Sequence, residues 1–174
     1  MNYKQTICDS MVEFSKDNSV IFVGYGLEKG RANGTLAGIP NDRIAQLGEM
    51  PVAENLLIGA AIGLALKGRK VIAYIERFDF ALLAADVIVN QLDKIGRISN
   101  GEFNPGVMIR CNVGGKSRPL FTGLPHTQDL TAGFAAMVSF PVVRYTDSNS
   151  PPYVEAFAAL PNRSTMIVEY RDLY

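Results

Sequence analysis

The fold class is decided by residues 51–75, which read PVAENLLIGAAIGLALKGRKVIAYI. Residues 56–66 form the most apolar run of the chain. A membrane-spanning helix needs about 20 such residues, so this shorter run predicts a helix buried in a soluble fold. Pro51 suits the first turn of that helix and Gly68 suits its end. The β-branched run at residues 71–75 then predicts a buried strand.

The same alternation of helix and strand extends along the whole chain. We predict further helices at residues 3–16, 80–94, 130–140 and 150–160, and further strands at 20–23, 43–47, 107–111, 142–145 and 166–169. Short apolar strands that alternate with helices are typical of an α/β fold with a doubly wound, mostly parallel sheet, here of about six strands, and helices on both faces. With 174 residues and no linker or repeat, the sequence predicts a single domain over residues 1–174.

The composition excludes several classes of protein. Seventeen Lys plus Arg balance seventeen Asp plus Glu, which argues against binding to nucleic acid or to a membrane surface through basic charge. Two cysteines do not make a disulfide framework, and a single histidine disfavours most zinc sites. We therefore expect a cytoplasmic protein without a resident metal site of its own.

Two glycine-rich stretches resemble nucleotide-binding motifs without meeting their requirements. Gly24, Gly26 and Gly30 follow a predicted strand, but their spacing differs from that of a dinucleotide-binding loop and no helix is predicted after them. The segment Gly115-Lys116-Ser117 lacks the earlier glycine of a phosphate-binding loop. Flexible glycine loops are the better interpretation of both stretches.

Glu54 is the first candidate for chemistry, because ligands of such folds bind at the carboxyl ends of the strands. It is an acid at the start of an otherwise apolar helix. Burial among apolar neighbours favours the protonated carboxyl, whereas a position in the first turn of a helix favours the charged form. If the helix start faces a cleft, burial dominates and the carboxyl can share a proton near neutral pH. The alternative is a helix-terminal charge in water.

Aromatic side chains and the histidine are the other candidates. Phe78 and Phe80 follow a predicted strand and flank Asp79, so one of them could stack on a flat ring. Filling of the core is the alternative, and for Phe78 it is the stronger one. His126 lies where a loop leads into a helix and could transfer protons, unless it is simply an exposed loop residue.

These residues resemble the pyrimidine-binding domain of the transketolase-like thiamine diphosphate enzymes. The likeness is nearest to the beta subunit of the thiamine-dependent component of 2-oxo acid dehydrogenases. It covers nearly the whole chain and is densest between Pro51 and Asn90. The positions that carry it are Pro51-Val52-Ala53-Glu54-Asn55, Gly59, Gly63, Gly68, Phe78-Asp79-Phe80, Asp86 and Asn90.

The resemblance implies a role for each candidate residue. Glu54 matches the glutamate that hydrogen-bonds a ring nitrogen of the aminopyrimidine of thiamine diphosphate and thereby activates the cofactor. Phe80 matches the aromatic residue that stacks on the pyrimidine, with Phe78 as a near competitor because related families differ in spacing by one residue. His126 matches a histidine on the substrate side of the site.

The resemblance also implies a partner. In the family, a Gly-Asp-Gly motif on another domain holds the diphosphate and Mg²⁺, and this sequence has no such motif. We therefore expect a pyrimidine-binding subunit that is inactive alone and shares the cofactor with a separate diphosphate-binding subunit. A two-by-two assembly is expected, with the apolar segments 56–66 and 81–88 available for self-association, and the substrate is expected to be a small carbonyl compound. The alternatives are a non-catalytic relict that binds or regulates a partner, and the small subunit of a 2-oxo acid decarboxylase.

Overall fold

A parallel sheet forms the centre of the computed structural model, which describes residues 2–28, 30–117, 123–146 and 152–174. Within these residues the strands have the order β2-β1-β3-β4-β6-β5, and every neighbouring pair is parallel. Their bounds are Val20–Gly24 (β1), Leu47–Glu49 (β2), Lys70–Ile75 (β3), Val107–Val113 (β4), Val142–Arg144 (β5) and Thr165–Tyr170 (β6). The predicted α/β class with a parallel sheet is confirmed.

Helices cover both faces of the sheet. The α-helices are Tyr3–Ser15 (α1), Glu54–Leu66 (α2), Ile95–Ile98 (α3), Thr131–Met137 (α4) and Tyr153–Ala159 (α5). Side chains alternate along each strand, so Val71, Ala73 and Ile75 of β3 pack in the apolar cluster that contains α2. Ile72 and Tyr74 point to the other face, where the cluster contains α1 and α5. Of the predicted start of α5, Ser150 and Pro151 lie outside the described residues.

Three predicted elements differ from the observed ones. Residues 43–47 were expected to form a strand, but Asn41–Gln46 is a 3-10 helix and β2 begins only at Leu47. The predicted helix at 80–94 is a 3-10 helix over Phe78–Ala84 followed by a π-helical turn over Val87–Leu92. Helix α2 begins at Glu54, so Pro51 precedes the helix and does not lie in its first turn.

The late start of α2 has a physical reason. After β2, Met50 still donates a backbone hydrogen bond of 2.8 Å to Gly24, so the chain leaves the sheet only beyond this residue. Residues 51–53 then carry the chain from the sheet to the helix layer, and the helical pattern opens with Leu57 donating to the Ala53 carbonyl at 2.9 Å. Glu54 is thereby placed at the carboxyl edge of the sheet, because α2 starts where β2 has just ended.

No helix in the described part of the chain is long and apolar enough to cross a lipid bilayer.

Candidate functional site

A cavity of about 220 Å³ lies at the carboxyl edge of the sheet, beside the start of α2. Strand register sets one of its walls, since Gly24 of β1 lies opposite both Glu49 of β2 and Tyr74 of β3. Most of its walls are apolar. The lining residues are Tyr25, Pro51, Val52, Ala53, Glu54, Leu57, Tyr74, Ile75, Glu76 and Phe80.

Glu54 places a buried carboxyl in this cavity. Its side chain belongs to the first turn of α2, and the residue is 8% exposed. The Oε2 atom is buried and has no hydrogen-bond partner among the described residues. A buried polar atom left unpaired costs about 1–3 kcal/mol, so native sites usually keep one where it meets a ligand. Glu54 is therefore free to hydrogen-bond a polar group that enters the cavity.

Phe78 and Phe80 occupy different environments. Phe80 is half-buried and lines the same cavity as Glu54. Phe78 is fully buried, and its ring stacks on that of Phe134 with the centroids 5.5 Å apart. Phe78 therefore belongs to the core and does not line the cavity, which leaves Phe80 as the aromatic residue beside Glu54.

His126 contacts Phe80 although the two residues are far apart in sequence. Their rings meet edge to face at 81°, with the centroids 5.0 Å apart. His126 ends a short 3-10 turn, Leu124–His126, and is half-buried. Its Nδ1 atom is buried and makes no hydrogen bond within the described ranges. Through Phe80, the structure brings His126 next to the cavity that contains Glu54.

His126 itself lines a larger cavity of about 480 Å³. The other lining residues are Lys4, Arg77, Gly114, Gly115, Ser117, Arg171, Asp172 and Tyr174. They come from α1, from the segments that follow β3 and β4, and from the residues after β6. This cavity is thus assembled from segments that are distant in sequence.

Positive charge predominates in the larger cavity. Lys4, Arg77 and Arg171 line it, and among the residues that the structure describes the Nε atom of Arg77 and the Nη1 atom of Arg171 are buried without a hydrogen-bond partner. The acid that lines it, Asp172, accepts hydrogen bonds from the Ser117 hydroxyl at 2.6 Å and the Lys116 backbone at 2.9 Å. These bonds lower the pKa of Asp172. The Nη1 atom of Arg77 is already paired with Glu76 at 3.5 Å, so its Nε atom and the Nη1 atom of Arg171 are the groups left to pair with an anion.

The cationic residues were not identified by sequence reasoning. Arg77 lies in the stretch that follows β3, where ligand-binding residues are expected, but a single arginine there carries no specific signal. Lys4 and Arg171 stand at opposite ends of the chain, so their approach depends on the tertiary fold. In the described residues no three His, Cys, Asp or Glu side chains are grouped as metal ligands.

Comparison with known proteins agrees with the sequence resemblance. The chain is 28% identical over 167 residues to "Pyruvate dehydrogenase E1 component subunit beta" from Cyanidium caldarium. The match covers 93% of this chain and 49% of that protein. It is 30% identical over 151 residues to "2-oxoisovalerate dehydrogenase subunit beta" from Bacillus subtilis, which covers 82% of this chain and 44% of that protein. The predicted resemblance is confirmed.

A solved structure shares the fold. The structure described as "Split gene transketolase, inactive beta4 tetramer" superposes on this chain with a TM-score of 0.73 at 18% identity, covering 97% of this chain and 50% of that one. The chain spans about half the length of the curated relatives it matches. No family model matches the sequence.

Proposed function

We propose that this chain is the pyrimidine-binding half of a thiamine diphosphate-dependent enzyme. The observation that carries the proposal is the cavity in which the unpaired Oε2 atom of Glu54 lies beside the ring of Phe80. A heterocycle with ring nitrogens needs these two features, a hydrogen-bonding carboxyl and an aromatic face, within apolar walls. The residues present therefore fit the aminopyrimidine of the cofactor.

Four residues of the cavity have assigned tasks in this proposal. Glu54 hydrogen-bonds a ring nitrogen of the pyrimidine and shares a proton with it. Phe80 orients the ring by stacking, and the apolar walls contributed by Val52 and Leu57 exclude water. When bound, thiamine diphosphate supplies the carbon nucleophile that forms or breaks a carbon–carbon bond next to a carbonyl.

His126 and the larger cavity are assigned to the substrate. Histidine is the side chain that most often transfers protons in enzymes, and the Nδ1 atom of His126 is unpaired within the described chain. The unpaired N–H groups of Arg77 and Arg171 favour a small carbonyl substrate that also carries an anionic group. Ketol transfer and 2-oxo acid decarboxylation both use such substrates.

The diphosphate and Mg²⁺ are assigned to a partner subunit. The sequence has no Gly-Asp-Gly motif. Relatives of this chain are named as beta subunits, and the similar solved structure is named as an inactive tetramer of a split-gene enzyme. These names support a chain that is inactive alone and shares its cofactor across a subunit interface. Cys8 and Cys111 are both free thiols, which supports the proposed location in the reducing cytoplasm.

The test is reconstitution. The chain is mixed with a candidate partner that carries Gly-Asp-Gly, together with thiamine diphosphate and Mg²⁺, and turnover of 2-oxo acids and ketose phosphates is measured. We expect turnover only when both chains are present. A complex that forms stably and binds the cofactor but turns over neither class of substrate would indicate a binding or regulatory partner instead.

Replacement of Phe80 by alanine is expected to weaken the cofactor site while the chain stays folded. Loss of an aromatic stack is worth about 0.5–1.5 kcal/mol, so the cofactor concentration for half-maximal activity should rise by about 2- to 12-fold. Phe103→Ala is the matched control, because Phe103 is an exposed aromatic residue before β4, at the opposite edge of the sheet. Equal effects of the two variants would contradict the stacking role.

An exposed apolar surface supports the proposed self-association. It comprises Leu56, Gly59, Gly63 and Leu66 on α2 together with Leu82 and Leu83 on the following 3-10 helix. Leu83 is 66% exposed, and its helix is in contact with α2, so these residues can form one apolar patch of the kind that marks an interaction site.

We therefore expect light scattering to give a mass of more than one chain for the wild type and a smaller mass for Leu83→Lys. Val154→Lys should leave the mass unchanged, because Val154 is equally exposed but lies on α5, over the opposite face of the sheet. A wild type that is monomeric at all concentrations would contradict the assignment of this surface.

A further inference from the structure

We propose that Asp79 is a positioning residue that holds His126 against Phe80, between the Glu54 cavity and the larger cationic cavity. The inference rests on the proposed function in one respect, namely that His126 works at this site. It concerns a residue to which the sequence resemblance and the cavities themselves assign no task, since Asp79 lines neither cavity.

The carboxylate of Asp79 is buried and is bonded to the segment that carries His126. Asp79 is 6% exposed. Its Oδ1 atom accepts hydrogen bonds from the Gln128 side-chain amide at 2.7 Å and from the Gln128 backbone N–H at 3.3 Å. Both donors belong to the residue two positions after His126, so the bonds fix the end of the turn that presents the imidazole.

The turn is also held by its other neighbours. The ring of Phe80, the residue next to Asp79, packs on the His126 ring. The backbone of Gly114 lies so close to the His126 carbonyl oxygen that a Cβ at this position would overlap it. Phe78, on the other side of Asp79, is anchored in the core by stacking on Phe134. The short segment 78–80 is therefore anchored in the core by Phe78 and contacts the segment around His126 through Asp79 and Phe80.

A merely space-filling role does not account for Asp79. Burial of a carboxylate is unfavourable unless the charge receives hydrogen bonds, and the described residues supply donors to Oδ1 but none to Oδ2. An apolar residue would fill the same volume without this cost. The hydrogen bonds from Gln128 fix where this residue lies relative to Asp79, which an apolar side chain could not do. Because Gln128 is two residues after His126, the same bonds hold His126 in place.

The experiment uses NMR on the chain itself. His126 is the only histidine of the sequence, so its ring protons give an unambiguous pair of signals. In the wild type we expect these signals to be displaced from free-imidazole positions by the ring current of Phe80. Phe80→Ala defines the spectrum without that displacement. Asp79→Ala is expected to lose the displacement, and Asp79→Asn, whose amide oxygen still accepts from Gln128, is expected to retain it.

A second variant decides the matter where Asp79→Ala fails to fold. Gln128 is exposed, so Gln128→Glu should fold, yet it replaces the side-chain donor by a carboxylate that repels Asp79 and leaves only the longer backbone bond of 3.3 Å. It should lose the displacement as well. Asp86→Ala is the matched control, because Asp86 is an exposed acid shortly after the same segment, bonded to Asn90 at 2.8 Å. Wild-type histidine signals in folded Asp79→Ala or in Gln128→Glu would overturn the proposal.

A kinetic measurement separates positioning from general destabilisation. In the reconstituted enzyme, Asp79→Ala should lower kcat while the cofactor concentration for half-maximal activity stays unchanged, because Asp79 does not line the cavity with Glu54. An increase in that concentration with unchanged kcat would contradict the assignment. The NMR result needs neither cofactor nor partner, so failure of the proposed enzyme function and failure of this inference give different results.

Discussion

Replacement of Glu54 by glutamine is expected to lower turnover of the reconstituted enzyme by about 100-fold or more, since general acid–base groups typically contribute about 10²–10⁴ in rate. Glutamine keeps the shape of the side chain and can still hydrogen-bond, but it cannot share a proton with a ring nitrogen. Because Oε2 of Glu54 has no partner among the described residues, the substitution breaks no bond of that atom. The folded chain should therefore be as stable as the wild type.

Turnover and thermal unfolding of the variant are measured side by side with a matched control. Glu155 also lies in the first turn of a helix, but it is exposed, so Glu155→Gln should leave turnover unchanged. Full turnover by Glu54→Gln would remove the role of Glu54 in activating the cofactor.

The sheet could be predicted because its buried strands are short, uninterrupted apolar runs that alternate with longer helical segments. Residues 71–75 are apolar without interruption, and in the structure both faces of β3 are covered. The strand predicted over residues 43–47 was wrong for all but Leu47, and Ile44 is 40% exposed on a 3-10 helix. A few apolar residues in a short segment do not distinguish a strand from a 3-10 helix.

The candidate site was predictable where its residues are neighbours in sequence. Glu54 stands beside the sheet edge because a helix start follows a strand end, and Phe80 follows β3 for a similar reason. The contact of Phe80 with His126 was not predictable, since it joins two segments that are distant in sequence and meet only in the tertiary structure. The same holds for Arg77 and Arg171, which tertiary structure alone brings into one cavity.

The second large effect is expected on the stability of the fold, and it comes from a buried ion pair on the face of the sheet opposite to α2. Arg110 on β4 and Glu169 on β6 are both fully buried and are joined by bonds of 2.6 Å (Nε to Oε1) and 3.0 Å (Nη2 to Oε2). The hydroxyls of Tyr153 and Tyr174 each donate to Glu169 at 2.7 Å. Burial and then the charge of Glu169 raise the pKa of Tyr153 well above its usual value, so this donor keeps its proton.

Replacement of Arg110 by methionine should reduce the free energy of unfolding by about 3–5 kcal/mol, because it leaves the carboxylate of Glu169 buried without its counter-charge. Urea unfolding of the isolated chain measures the change. Arg144→Met is the control: the side chain of Arg144 is 51% exposed in its ion pair with Asp129, and such surface pairs are worth about 0–1 kcal/mol. Adding Glu169→Gln to Arg110→Met should recover part of the loss by removing the unpaired charge. If Arg110→Met cost no more than Arg144→Met, the buried pair would not contribute to stability as expected.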